Sequence, residues 1–126
     1  MRFAYDAHYV PAAPMIEIRL GKPNESLSIG PLYAFVDTGA DITLIPIHYV
    51  RQLRLRRDDF RFLRSQWGER RSVSIYSLDM GIDVFTLPAV AVVGDEQSEE
   101  IVLGRNVLNK LMLTLNGPKQ FLEVSA

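Results

Sequence analysis

Short β-type runs, each ended by turn-forming residues, set the strongest limit on what this chain can fold into. Runs rich in apolar, β-branched and aromatic residues occupy positions 15–20, 32–36, 42–45, 60–63, 72–78, 84–87, 89–93, 113–115 and 120–124. Glycine, proline and asparagine separate many of these runs, which is typical of strands joined by short connections. Residues 48–55 and 104–111 favour two short helices. This pattern predicts an all-β fold, either a small β-barrel or a sandwich.

Two pairs of runs have the spacing of hairpins. The runs at 60–63 and 72–78 flank a segment containing Gly68, which predicts a long hairpin with this glycine at its tip. The runs at 113–115 and 120–124 flank an Asn-Gly-Pro-Lys turn and predict a closing hairpin. Pro88 lies between two further runs, so we expect it to separate two strands.

The size of the chain indicates one folding unit. With 126 residues, 48% of them hydrophobic, residues 1–126 suit a single domain with one core. The absence of cysteine excludes disulfides, zinc–thiolate sites and a cysteine nucleophile. No apolar run is long enough to span a bilayer and no signal peptide is visible. We therefore expect a soluble, cytoplasmic protein without a membrane partner.

The charges are balanced overall but unevenly placed. Fourteen Lys and Arg against fifteen Asp and Glu give a net charge of −1, which argues against attraction of the whole molecule to nucleic acid. Eight of the basic residues fall between Arg51 and Arg71, whereas residues 79–100 hold six acids and no Lys or Arg. A basic hairpin could bind nucleic acid. A solvated basic face balanced by the acidic segment is the favoured interpretation, and no nucleic-acid partner is predicted.

One acidic residue follows an almost wholly apolar run. The run at 32–36 leads into Asp37, Thr38 and Gly39, and another β-type run follows. An ionisable residue at the end of an apolar strand is costly unless hydrogen bonds or a function account for it. Gly39 lets the backbone approach closely, so N–H groups of the turn can point at the carboxylate. The alternative to a functional role is a purely structural one, in which Asp37 forms an Asx-type turn that ends the strand.

A second segment far downstream gives this motif its context. Residues 35–43 read Phe-Val-Asp-Thr-Gly-Ala-Asp-Ile-Thr, and residues 101–108 read Ile-Val-Leu-Gly-Arg-Asn-Val-Leu. Together they resemble the retroviral-type aspartic proteases, the retropepsin family. In that family an apolar strand carries Asp-Thr-Gly-Ala-Asp, and a later apolar pair with Gly-Arg-Asn packs beside the active-site loop. The resemblance covers most of the chain from residue 15 onward.

The resemblance implies a fold and a set of site residues. The expected fold is a small closed β-barrel of the acid-protease type, with one or two short helices and one lobe per chain. The residues implied in catalysis are Asp37, Thr38 and Gly39, those in substrate binding are Ala40, Asp41, Trp67 and Gly68, and those supporting the active site are Thr43, Leu103, Gly104, Arg105 and Asn106. Trp67 and Gly68 belong to the hairpin that takes the place of the family's flap. An ion pair between Asp41 and Arg105 is expected to brace the loop.

The resemblance also implies an activity. Aspartic proteases use two carboxylates that share a proton and activate water, which requires no cofactor and no metal. This chain has one Asp-Thr-Gly, so we expect a two-fold homodimer that cleaves polypeptides with Asp37 from each subunit. Thr38 is expected to bond across the dimer axis. The predicted hairpin tip is poor in glycine, and the alternative is a catalytically silent binding or dimerisation module.

Ala40 implies a particular pH dependence. Where related enzymes carry Ser or Thr after the glycine, the hydroxyl can donate to the ionised carboxylate and favour that form. Ala40 has no hydroxyl to donate. We therefore expect the pH optimum to be mildly acidic rather than strongly acidic.

Overall fold

Ten strands and two short helices make up the part of the chain that the structure, a computed structural model, describes: residues 1–64, 68 and 70–126. The strands are β1 (Arg2–Ala4), β2 (Met15–Gly21), β3 (Ile29–Val36), β4 (Thr43–Pro46), β5 (Asp59–Arg64), β6 (Arg70–Ile82), β7 (Phe85–Asp95), β8 (Ile101–Leu103), β9 (Met112–Asn116) and β10 (Phe121–Ser125). The helices are α1 (Ile47–Gln52) and α2 (Arg105–Leu108). Within these described residues, no helix has the length and apolar character needed to cross a membrane.

Six of the strands close into a ring. Neighbouring strands pair in the order β2, β3, β8, β4, β7 and β6, and β6 returns to pair with β2, where Leu20 lies opposite Met80. Because the last strand pairs with the first, this ring has no free edge. The predicted small closed β-barrel with two short helices is confirmed.

The inner faces of the ring form the main core. In β2 the side chains of Ile16, Ile18 and Leu20 are buried and alternate with those of Glu17 and Arg19, which are more exposed. This alternation is the period of two that places every second side chain on the same face of a strand. Removing one such aliphatic side chain from water contributes about 1.5–3 kcal/mol to stability.

A three-stranded sheet made from both ends of the chain packs on the barrel. Its strand order is β1, β10, β9, and β9 and β10 form the predicted closing hairpin. β1 pairs with β10, with Phe3 opposite Leu122, although the sequence patterns predict no strand before residue 15. Leu122 and Val124 are buried in the same core as the barrel strands, which attaches this sheet to the ring.

The long hairpin predicted around Gly68 is present as β5 and the first half of β6. The two strands pair antiparallel, with Asp59 opposite Ile75 near its base. In the described part of the chain β5 pairs only with β6, so the hairpin extends beyond the closed ring. Gly68 is exposed, and its φ of +82° lies in the left-handed region that favours glycine. Trp67, predicted beside it at the tip, lies outside the described residues.

The prediction that Pro88 separates two strands is wrong. β7 runs without interruption from Phe85 to Asp95, and its pairing with β6 shifts register close to Asp79. Proline cannot donate to a strand ladder and is tolerated at such a bulge. Ala89, at φ +49°, donates its N–H to Asp79 Oδ1 at 2.9 Å, and Asn24 donates its N–H to Oδ2 at 3.0 Å. The buried Asp79 carboxylate therefore accepts the Ala89 N–H at the bulge and also holds the turn at Asn24.

Candidate active site

Asp37 stands at the end of β3, where strand pairing continues up to its backbone. β3 runs parallel to β8, with Val36 opposite Leu103. The Asp37 N–H donates to the Leu103 carbonyl at 3.1 Å, one residue beyond the last of these pairs. The apolar strand predicted at residues 32–36 thus ends next to Asp37, and a backbone hydrogen bond to β8 fixes the position of this acid.

A tight turn follows the acid and supplies one donor to it. The Gly39 N–H donates to Asp37 Oδ1 at 2.9 Å, and the Ala40 N–H donates to the Asp37 carbonyl at 3.2 Å. A Cβ at Gly39 would lie 3.2 Å from Asp37 Oδ1, which is a tight contact. In the part of the chain that the structure describes, Gly39 provides the one hydrogen bond to this carboxylate. The bond from the Gly39 N–H to Asp37 Oδ1 is that of an Asx-type turn, as the purely structural interpretation predicted. The other carboxylate oxygen, Oδ2, remains available for other contacts.

The turn lies on the surface of the chain. Asp37, Thr38 and Gly39 are all exposed, Ala40 is half-buried, and Asp41 is exposed. A loop with this exposure can meet water, a peptide or a second protein molecule.

The segment before α2 packs directly against the turn. The Arg105 N–H donates to the Ala40 carbonyl at 2.8 Å. A Cβ at Gly104 would lie 2.6 Å from the Ile42 carbonyl carbon and 2.7 Å from its oxygen, both backbone atoms. No other residue fits between these two backbone segments without moving one of them. This close approach explains why position 104 is a glycine. The family resemblance implied that Gly104 supports the active site.

Thr43 and Asn106 form a hydrogen-bonded network beneath the turn. Asn106 Oδ1 accepts from the Thr43 N–H at 3.0 Å and from Thr43 Oγ1 at 2.9 Å. Asn106 Nδ2 donates to the Ala91 carbonyl at 2.7 Å, and Thr43 Oγ1 accepts from the Gly104 N–H at 3.0 Å. Thr43 is fully buried. These bonds tie β4, β7 and the start of α2 into one unit and satisfy polar groups that would otherwise be unpaired.

The ion pair expected between Asp41 and Arg105 is absent. Among the described residues Asp41 takes part in no salt bridge, and Arg105 Nη1 instead donates to the Thr38 carbonyl at 2.9 Å. A carbonyl acceptor within the turn is nearer to the guanidinium than the exposed carboxylate of Asp41. Arg105 therefore braces the loop through its backbone, and the expected role of Asp41 in that brace is wrong.

A small apolar cluster joins the β5–β6 hairpin to the site loop. Its buried members are Ile42, Val73, Ile75 and Val93, with Leu44, Leu63 and Ala91 packed against them. Ile42 lies between Asp41 and Thr43, so the base of the hairpin rests against the segment that leaves the turn. The sequence patterns predict each strand but not this contact, because the cluster unites residues from four strands and the loop that precedes β4.

The fold and the loop together define a chain of the retropepsin-like class, and comparisons with known proteins agree. The family described as gag-polyprotein putative aspartyl protease matches residues 29–110, well over half of the chain, and the chain belongs to it. The crystal structure of a retropepsin-like aspartic protease from Rickettsia conorii is similar in fold, with a TM-score of 0.65. The likeness covers 100% of this chain and 92% of that one at 14% identity. No curated protein matches the chain.

We expect Gly104→Ala to destabilise the protein strongly. The added methyl would meet the Ile42 backbone, and relieving such overpacking costs about 3 kcal/mol. Gly117→Ala is the matched control because a Cβ there has no atom within 4 Å. Urea unfolding of both variants measures the free energy of unfolding, and the control should change it by less than about 0.5 kcal/mol. Equal stability of the two variants would contradict the close approach at Gly104.

Proposed function

We propose that this chain is an aspartic endopeptidase that hydrolyses peptide bonds in polypeptides as a homodimer. The observation that carries the proposal is the placement of Asp37 in an exposed turn that is held by backbone hydrogen bonds to β8 and to the start of α2. Membership of a family of putative aspartyl proteases supports the reaction type. The positioned acid needs only water and a second carboxylate for this chemistry.

The second carboxylate comes from a second copy of the chain. The sequence contains a single Asp-Thr-Gly, at residues 37–39. A two-fold dimer is self-complementary, so one exposed loop placed on the axis meets the same loop of its partner. The exposure of Asp37, Thr38 and Gly39 leaves the loop accessible for that contact. In this arrangement the Thr38 hydroxyl bonds to the partner's loop and holds the two turns together.

Proton sharing between the two acids sets up the reaction. Two carboxylates about one hydrogen bond apart cannot both carry a charge, so they hold one proton between them. The ionised Asp37 takes a proton from water, which attacks the peptide carbonyl, while the protonated Asp37 polarises the carbonyl oxygen. We propose that Ala40, Asp41 and Gly68 contact the bound peptide; the same role is proposed for Trp67, which lies outside the described residues.

The rigidity of the turn supports this role. The Arg105 N–H and guanidinium hold the Ala40 and Thr38 carbonyls, and Asn106 secures Thr43 just beyond the turn. A catalytic group must be held close to its productive geometry by its neighbours. These contacts lie within one chain, so the proposed half-site does not need a partner to form them.

We expect Asp37→Asn to abolish peptide cleavage without preventing folding. An amide can neither take a proton from water nor share one as a carboxylate does, so the rate should fall at least about 100-fold. Asp83→Asn is the control, since it removes one acid from an exposed turn whose φ of +52° suits asparagine. Mass spectrometry of a digested peptide library measures cleavage, and sedimentation measures the oligomeric state.

The outcomes separate protease from binding module. Cleavage by the wild type and the control, but not by Asp37→Asn, supports the proposal. Cleavage that survives Asp37→Asn overturns the assignment of the catalytic acid. A folded dimer that cleaves nothing in the library as wild type favours the catalytically silent dimerisation module.

The pH profile tests the role of Ala40. In Ala40→Ser, a hydroxyl that donates to the ionised carboxylate favours the ionised form, so the activity maximum should move to lower pH. One hydrogen bond to a charged group contributes roughly 1.5 kcal/mol, equivalent to a shift of about one pH unit. Ala40→Gly is the control without a hydroxyl. Wild-type activity that peaks at strongly acidic pH, or an unchanged maximum in Ala40→Ser, would contradict the argument.

A further inference from the structure

A pocket of about 250 Å³ lies beside β3, upstream of the proposed catalytic acid. Its walls combine aromatic rings with carboxylates: Tyr9, Tyr33, Phe35, Tyr49, Glu99 and Glu100. We call this cavity the Tyr9 pocket. It is smaller than the cavities of about 300–1,000 Å³ that hold whole small molecules, and its size suits a single side chain.

The aromatic wall is built from distant parts of the chain. Tyr33 and Phe35 occupy alternate positions of β3, so they share the face opposite the buried Ala34. The Tyr9 ring packs edge-on against Phe35, with 4.9 Å between ring centroids and 76° between planes. Tyr49 reaches the pocket from α1. The faces of such rings carry partial negative charge and attract cations.

The charged part of the wall is acidic. Of the described residues that line the pocket, none is Lys or Arg. Glu99 is paired with His48 at 3.0 Å, and Asp6, also in the lining, is paired with His8 at 2.8 Å. Glu100 is exposed, and its carboxylate has no hydrogen bond or ion pair among the described residues. It is the acid that remains available to a ligand.

The pKa of Tyr9 is consistent with a negative environment. Burial raises the pKa of its phenol above the ordinary value, and the charges of Glu100 and Asp6 raise it further. These two carboxylates therefore act electrostatically on the same ring that packs on Phe35. A cation beside Tyr9 would face both the ring and the carboxylates.

The pocket is within reach of a peptide bound at Asp37. Phe35, near the end of β3, precedes Asp37 by two residues, which is about 7 Å at 3.3 Å per residue of extended chain. Glu100 immediately precedes β8, whose first residue, Ile101, lies opposite Ala34. The pocket thus extends from about 7 to 13 Å along β3 from Asp37, the span of two to four extended residues.

We propose that the Tyr9 pocket binds a Lys or Arg side chain of the polypeptide substrate, two to four residues from the cleaved bond. The proposal rests on the proposed peptidase function for the identity of the ligand. The cationic head group pairs with Glu100, and the aliphatic stem packs on Tyr9 and Phe35. An uncharged aliphatic side chain of similar length leaves Glu100 unpaired and binds more weakly. In a two-fold dimer each subunit contributes one such pocket.

The first experiment measures binding without catalysis. Asp37→Asn protein is titrated with Nα-acetyl-lysine methylamide, its arginine equivalent and the uncharged norleucine equivalent, and amide NMR shifts are followed at Tyr9, Phe35 and Glu100. We expect saturable shifts with the two cationic probes, and at least about tenfold weaker binding of the norleucine probe. Glu100→Gln on the same background should weaken binding of the cationic probes about tenfold, whereas Glu25→Gln, at an exposed site elsewhere, should not.

A second variant pair tests the aromatic wall. Tyr9→Phe keeps the ring and should bind the lysine probe within about twofold of the parent protein, whereas Tyr9→Ala should bind it at least about fivefold more weakly. Equal affinity for the lysine and norleucine probes, or unchanged lysine binding in Glu100→Gln, would overturn the proposal.

The second experiment measures cleavage. Wild type and Glu100→Gln digest the same peptide library, and the cleaved sites are sequenced by mass spectrometry. Enrichment of Lys and Arg two to four residues from the bond, at least about fivefold higher for the wild type, supports the pocket assignment. Cleavage with no basic preference overturns the pocket and leaves the peptidase function intact. Probe binding without any cleavage leaves the cation site standing and contradicts the peptidase function.

Discussion

The hydrogen bonds of the half-buried Asn106 side chain are the interactions on which the geometry of the Asp37 loop depends. Its amide oxygen takes two donors from Thr43, and its amide nitrogen binds the Ala91 carbonyl. The Thr43 hydroxyl in turn accepts from Gly104. Thr43 is fully buried and Asn106 is half-buried, so losing one partner leaves the Thr43 groups unsatisfied, at about 1–3 kcal/mol for each buried unsatisfied group. The network is therefore more sensitive to substitution than a set of independent surface contacts.

This network, together with the contacts to β8 and Arg105, explains how a small barrel can hold Asp37 on an exposed turn. Within the turn, the Gly39 and Ala40 N–H groups donate to Asp37. Its position is determined by neighbours: β8 pairs with the chain up to Asp37, and Arg105 holds the carbonyls of Thr38 and Ala40. The face formed by Asp37, Thr38 and Gly39 is exposed, as the proposed contacts with a substrate and a second chain require. The proposed chemistry needs a loop that is held by contacts with the rest of the chain and that also has an exposed surface which other molecules can reach.

Much of this architecture could be predicted from local patterns. The alternation in β2, the apolar run of β3 and the turn residues around Gly68 and Gly117 are local signals, and they predicted strands where strands occur. The pairing of the Asp37 loop with the Gly104 segment followed from the family resemblance. No local pattern connects positions so far apart in the sequence.

The elements that sequence reasoning missed depend on distant partners. β1 has three residues and lacks a clear alternation, so it becomes a strand only because β10 offers a paired edge. Pro88 is tolerated inside β7 because Asp79 accepts the displaced N–H of Ala89. The predicted partner of Arg105 was wrong because a backbone carbonyl, invisible to sequence patterns, competes with Asp41. The Tyr9 pocket had no sequence signal, since its walls come from five separate segments.

Each proposed active site requires Asp37 from two copies of the chain, and mixed dimers test this requirement most directly. Wild-type and Asp37→Asn chains are refolded together in equal amounts, and sedimentation verifies that both enter dimers. If only dimers with two acids cleave peptides, random pairing leaves about one quarter of the activity of the same total amount of wild-type protein. Activity of about one half would mean that each chain acts alone, and it would contradict the account.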